Sequence, residues 1–214
     1  EKRFPNMWKN DDDEGGKNMH EEDFLASNLK RMGRDVKFSY TKVTNYAAGK
    51  KLSESINNLM QNKLNVIVYN FVDMLSHART ESEMIRELAD DEAAYRSLTV
   101  SWFEHSPLQE IIRKVAESKT KLIITSDHGT VKVSNPVKIV GEKSTNSNLR
   151  YKVGRNLSYN AKEAYSAQPE HVRLPKSKLS SEYVFARETD YFVYPNNYNH
   201  FVKYYQNTFQ HGGI

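Results

Sequence analysis

Two apolar runs constrain this chain more than any other feature: Val66–Phe71 within "NVIVYNFVD" and Leu122–Ile124 within "KLIITSD". A strand with one face in water alternates apolar and polar residues. A run without alternation suits a parallel sheet covered on both faces. Helical spacing separates the two runs, so the order is strand, helices, strand. This predicts an α/β fold with strands over 65–73 and 121–127, each ending in an acid, Asp73 and Asp127. In open α/β sheets, sites lie beyond the carboxyl ends of the strands. Both acids are therefore expected at such a site.

Other segments fit the same order. Phe24, Leu25, Leu29 and Met32 share a stripe, and Gly33 follows as a stop, so 20–33 reads as a helix. "VKFSY" (36–40) alternates as a strand, and "SESINNLMQ" (53–61) belongs to a helix starting near Tyr46. Residues 81–97 read as one or two helices. Ser106 and Pro107 open another, with Leu108, Ile111, Ile112 and Val115 on its buried face. The later chain is less regular. A hairpin about Asn135-Pro136 is expected over 130–141, two strands over 182–195, and a short aromatic helix over 198–205. The stretches 7–18 and 142–148 read as loops, the second of them mobile.

Charge is uneven. Residues 1–129 carry 19 Lys and Arg against 21 Asp and Glu, whereas 130–214 carry 12 against 6. A basic half can draw in a phosphate-bearing ligand, or it can be a solvated surface. The chain has no cysteine, which excludes disulfide scaffolds, thiolate metal sites and a cysteine nucleophile. No run is long enough to span a bilayer, and a cytoplasmic setting fits.

Imidazoles accompany both acids. Asp73 and His77 are four residues apart and would share one helix face. Asp127 and His128 are adjacent, and Gly129 would let a sharp turn bring both side chains together. His211 precedes Gly212 and Gly213. Oxygen and nitrogen donors without sulfur suit zinc, manganese or iron, although a carboxylate beside a histidine is also an ordinary hydrogen-bonded pair.

"FVDMLSH" (71–77), "TSDHG" (125–129) and "HGGI" (211–214) together resemble the alkaline phosphatase superfamily, and within it the PglZ branch. The same motifs resemble the effector regions of PorX-like response regulators of type IX secretion. The resemblance implies an alkaline-phosphatase-like mixed sheet flanked by helices, with two zinc ions. Asp73, His77 and His211 would hold one zinc; Asp127 and His128 would hold the second. The nucleophilic Thr or Ser and a further aspartate have no match in this chain. The resemblance therefore implies that 1–214 is the C-terminal part of a single domain. The first strand, the nucleophile and a receiver domain would lie upstream, and this fragment alone would be inactive.

The implied activity is a metal-dependent phosphodiesterase acting on cyclic or short oligonucleotides. Arg155 and Lys152 are candidate phosphate contacts, or fold-stabilising cations. Tyr194, Tyr198 and Tyr204 can stack bases or pack the core. His200 competes with His211 as a ligand and lacks its glycines. His20, His105 and His171 read as exposed or capping residues, and Ser126 and Thr80 as supporting at most. The alternative function is a metal-stabilised signalling scaffold that dimerises and binds a sigma factor or sensor kinase. A nucleic-acid-binding module is a third class, without a recognised motif. An upstream fragment of the same protein is a further expected partner.

Overall fold

The computed structural model describes residues 20–142, 145–174, 176 and 181–212, and leaves out the side chains of 76, 77, 79–81 and 212. The loop expected at 7–18 lies outside these residues. So do parts of the 142–148 loop and of the stretch 175–180. The chain divides into two compact units, His20–Ser126 and one that runs from Asp127 onward. Both are mixed α/β.

The first unit starts with α1 (Glu21–Arg31), acidic in its first turn and basic in its last, the polarity a helix dipole favours. Strands β1 (Phe38–Val43) and β2 (Leu64–Tyr69) pair in parallel, from Phe38 opposite Leu64 to Val43 opposite Tyr69. Helix α2 (Tyr46–Leu59) makes the crossover. Asn45 caps it, its side chain accepting from the Ala48 N–H at 2.9 Å. Then come α3 (Phe71–Glu81), α4 (Glu83–Leu88), α5 (Glu92–Glu104) and α6 (Pro107–Ala116). Val43, Leu52, Ile56, Ile111 and Val115 form the core between β1, α2 and α6. The close approach requires Gly49: a Cβ there would lie 2.9 Å from the Tyr69 hydroxyl oxygen and 3.3 Å from Pro107 Cγ.

Two strand expectations are corrected here. The strand expected over 65–73 ends at Tyr69, and the chain turns directly into α3, so Asp73 lies in a first helical turn. The strand expected over 121–127 does not form. Residues 121–126 have no regular structure, and Ile123 and Ile124 are each 75% exposed. The apolar run describes a side-chain preference, but a strand also needs a ladder. β1 and β2 pair only with each other, and no described strand lies along 121–126.

The second unit contains β3 (Gly129–Lys132), β4 (Asn135–Val140), β5 (Tyr151–Gly154), β6 (Ser158–Tyr159), β7 (Ala164–Ala167), α7 (Pro169–Val172), β8 (Glu182–Ala186), β9 (Asp190–Val193), α8 (Tyr198–Tyr205) and β10 (Phe209–Gly212). The expected hairpin over 130–141 is replaced by non-local pairing. β3 runs antiparallel to β10, and β4 lies between antiparallel β6 and parallel β9. The two strands expected over 182–195 form, but β8 pairs with β5 and β7 rather than with β9. Strand β9 is covered on both faces. Phe192 joins Val137, Ile139, Leu157, Ala164 and Val184 in one core. Tyr191 and Val193 join Val133 in another, against Tyr198, Phe201 and Tyr205 of α8. Asn207, in the left-handed region at φ 63°, turns the chain from α8 into β10.

Candidate metal centre

The ladder of β3 with β10 gathers two of the predicted side chains. It sets Thr130 opposite His211 and Gly129 opposite Gly212. His128, just before β3, thereby stacks on His211 with ring centroids 4.2 Å apart and planes 27° apart. One ring nitrogen of each lies within 4.8 Å of the other. Ions of a two-metal site stand about 3.5–4 Å apart, so neighbouring imidazoles can serve one ion each.

Local hydrogen bonds select the ligand form of His128. Its Nδ1 lies 3.1 Å from the Gly129 carbonyl oxygen, which can only accept. A neutral ring donating from Nδ1 to that carbonyl has Nε2 as its metal-binding atom. Nε2 stands 3.7 Å from Asp127 Oδ1, and that same oxygen accepts the His128 backbone N–H at 3.0 Å. Asp127 itself is mostly exposed, so its charge is well solvated until something is bound.

Gly129 does not play the part expected of it. Its φ is outside the left-handed region, and an added Cβ would meet nothing within 4 Å. The aspartate–backbone bond, not glycine freedom, shapes the turn.

In the first unit, Asp73 sits half-buried in the first turn of α3, where the helix dipole favours an anion. The entry to that helix is fixed by Phe71, stacked on Trp102 at 4.0 Å and 3°, and by the Tyr95 hydroxyl donating to the Val72 carbonyl at 3.0 Å. His77 lies one turn further along the same helix, with its side chain outside the described set.

The whole chain, residues 1–214, matches the family described as the BREX system PglZ alkaline phosphatase-like domain. The chain belongs to the PglZ family. No curated protein matches it. The PglZ domain thus has the alkaline-phosphatase-like α/β character expected from its three motifs.

The other predicted residues sit elsewhere in the PglZ domain. Lys152 is 1% exposed; its ammonium donates to the Asn146 carbonyl at 2.9 Å and lies 4.8 Å from the centre of the Tyr194 ring. Burial there makes it a tie between a loop and the core, not a group open to a phosphate. Arg155 is exposed just after β5. Tyr198 packs under Lys138 at 4.7 Å, and Tyr204 stacks on His200 at 6.3 Å, so these rings already have intrachain partners. His105 contacts the Ser101 carbonyl at 2.7 Å, and His20 stands 3.5 Å from Asp23. His171 and Ser126 are exposed. Thr80, like His77, has no described side chain. No described helix is long and apolar enough to cross a membrane.

Proposed function

We propose that this domain is a metal-dependent phosphoesterase whose cation ligands are Asp73, His77, Asp127, His128 and His211. The observation that carries this reading is the stacked imidazole pair, with Nδ1 of His128 tied to a carbonyl and Nε2 left as a donor atom. The donor set contains nitrogen and oxygen and no sulfur, which fits zinc. Two zinc ions are proposed, one with Asp73, His77 and His211, the other with Asp127 and His128. A bound divalent cation supplies Lewis-acid stabilisation of charge on phosphoryl oxygens and lowers the pKa of water.

The chain's own residues orient and charge the site. The Gly129 carbonyl, 3.1 Å from His128 Nδ1, orients that ring. Asp127 adds a negative charge beside Nε2, and the β3–β10 ladder holds the two rings in register. The proposed substrates are phosphodiesters of cyclic or short oligonucleotides. Arg155, exposed and planar, is the proposed phosphate contact. The setting proposed is the cytoplasmic effector region of a PorX-like, dimeric response regulator.

The test is phosphodiester hydrolysis by the full-length protein, as wild type, as His128→Ala, and after chelation. Loss of turnover in the last two supports the proposal. Unchanged hydrolysis in all three would end it. Zinc retained without any turnover in wild type would favour the scaffolding function instead.

A further inference from the structure

One face of the β3–β10 ladder carries more than the two imidazoles. Val131 packs on the core of Val133, Tyr191 and Val193, so its strand neighbours Thr130 and Lys132 lie on the other face. Across the ladder Thr130 stands opposite His211, and Lys132 opposite Phe209. The stack on His211 brings His128 to that face as well. The Val133 N–H donates across the ladder to the Thr208 carbonyl at 2.9 Å. Bonded and non-bonded pairs alternate in an antiparallel ladder. Lys132–Phe209 and Thr130–His211 are therefore non-bonded pairs, whose side chains lie closer together. Phe209 is buried, Lys132 half-buried and Thr130 exposed. A lysine opposite a buried phenylalanine lays its methylenes on apolar surface and keeps its ammonium at the edge.

We infer that Lys132 is a phosphate-binding cation of the site, with the Thr130 hydroxyl as a second donor between it and the imidazoles. This role rests on the phosphoesterase reading and adds to it the groups that take the phosphoryl oxygens. A carboxylate and a metal-binding imidazole nitrogen only accept, whereas phosphoryl oxygens need donors. Thr130 brings one O–H, and Lys132 brings three N–H groups with a full charge. His128, Thr130 and Lys132 follow one another at steps of about 6.7 Å along the chain, and His211 joins them from β10. A phosphoryl group drawn to the imidazole end of this row meets the hydroxyl first and the ammonium next. Lys132 is the one Lys or Arg within β3 and β10. Arg155 follows β5, which belongs to a different sheet, so Lys132 is the cation that shares the imidazoles' register.

The experiment is isothermal titration calorimetry of inorganic phosphate into full-length protein, zinc-loaded and chelated, with bound zinc counted by atomic absorption. The variants are Lys132→Met, which keeps the apolar stem, Lys132→Arg, which keeps the charge, and Thr130→Val, which keeps the shape. Lys132→Met is expected to weaken phosphate binding roughly 10- to 150-fold at unchanged zinc content, as loss of a hydrogen bond to a charged group does. Lys132→Arg recovers most of that loss, and Thr130→Val weakens binding roughly 2- to 12-fold. Equal phosphate affinity in Lys132→Met and zinc-loaded wild type would overturn the role of Lys132 and leave the cation reading intact. So would a loss equally deep in Lys132→Arg, which would make the residue a packing element. Zinc-loaded wild type without phosphate affinity would overturn it too. Wild type that takes up no zinc ends the cation reading, and phosphate binding to chelated protein then decides Lys132 alone. Should Lys132→Met lose its native circular dichroism, Thr130→Val at its exposed position carries the comparison, and unweakened binding there would overturn the row.

Discussion

Val133→Ala tests whether the imidazole pair is held by the core behind it. Val133 is fully buried beside Tyr191 and Val193, one residue past the end of β3. Its N–H donates to the Thr208 carbonyl at 2.9 Å, and its own carbonyl accepts from the Asn207 N–H at 2.7 Å. It therefore joins the exit of β3 to the entry of β10. Alanine removes two buried carbons, about 1.6 kcal/mol at about 0.8 per carbon, and a residual cavity raises this toward about 3. For a chain of this size that lowers the transition temperature by roughly 3–12 °C.

The backbone bonds survive the substitution, so the register and the ring pair should survive as well. Zinc at about 100 times its dissociation constant should stabilise wild type by about 2.7 kcal/mol. Val133→Ala should show the same zinc increment from a lower baseline. His128→Ala and His211→Ala should keep the wild-type baseline within about 1 kcal/mol and lose most of the increment. The assay is thermal denaturation by circular dichroism, with zinc and with chelator. A Val133→Ala cost under about 0.5 kcal/mol, or a zinc increment kept by both histidine variants, would refute the link between ladder and site.

Further outcomes follow from the same packing. Ile139→Ala should cost about 2–5 kcal/mol in urea denaturation, whereas its exposed neighbour Val140→Ala should stay within about 0.5; equal costs would mean a one-residue register error in β4. Gly49→Ala should destabilise the first unit, despite the roughly 1 kcal/mol that alanine gains in a helix, because the Cβ meets Tyr69 and Pro107; a stabilised variant would show that α2 can shift away. The Lys114 and Ser53 side chains hold the Glu110 carboxyl below its usual range. A lowered folded value gives stability that is present above the unfolded carboxylate pKa and is lost as pH falls through the folded one. Glu110→Gln should therefore flatten the acid limb of stability below about pH 4.5, measured by denaturation across pH; an unchanged acid limb would remove this pair from the account.

Local signals in the sequence are legible: helices start near Tyr46 and at Pro107 as expected, and the stripe of Ile111 and Val115 faces the core as its spacing requires. Strand pairing was not legible, because alternation fixes which face a residue takes and says nothing of the neighbouring strand. Residues 130–141 looked like a hairpin since their two halves are adjacent in sequence. The partners of β3 and β4 come instead from β10 and β9, both far along the chain. The run at 122–124 failed for the converse reason: strong strand formers met no ladder.

The candidate metal centre divides in the same way. Asp127 and His128 are neighbours in sequence, and their bond is local, so the motif alone announces them. His211 reaches the pair only through the four-residue ladder of β3 with β10. Strands that short are marginal on their own and need a packed face to persist. That face is the cluster of Val133, Tyr191 and Val193, whose composition holds no hint of metal chemistry. The distance between the two imidazoles is therefore a property of an apolar core, and a change of a few methyl groups there should move zinc affinity only when it is large enough to release the ladder.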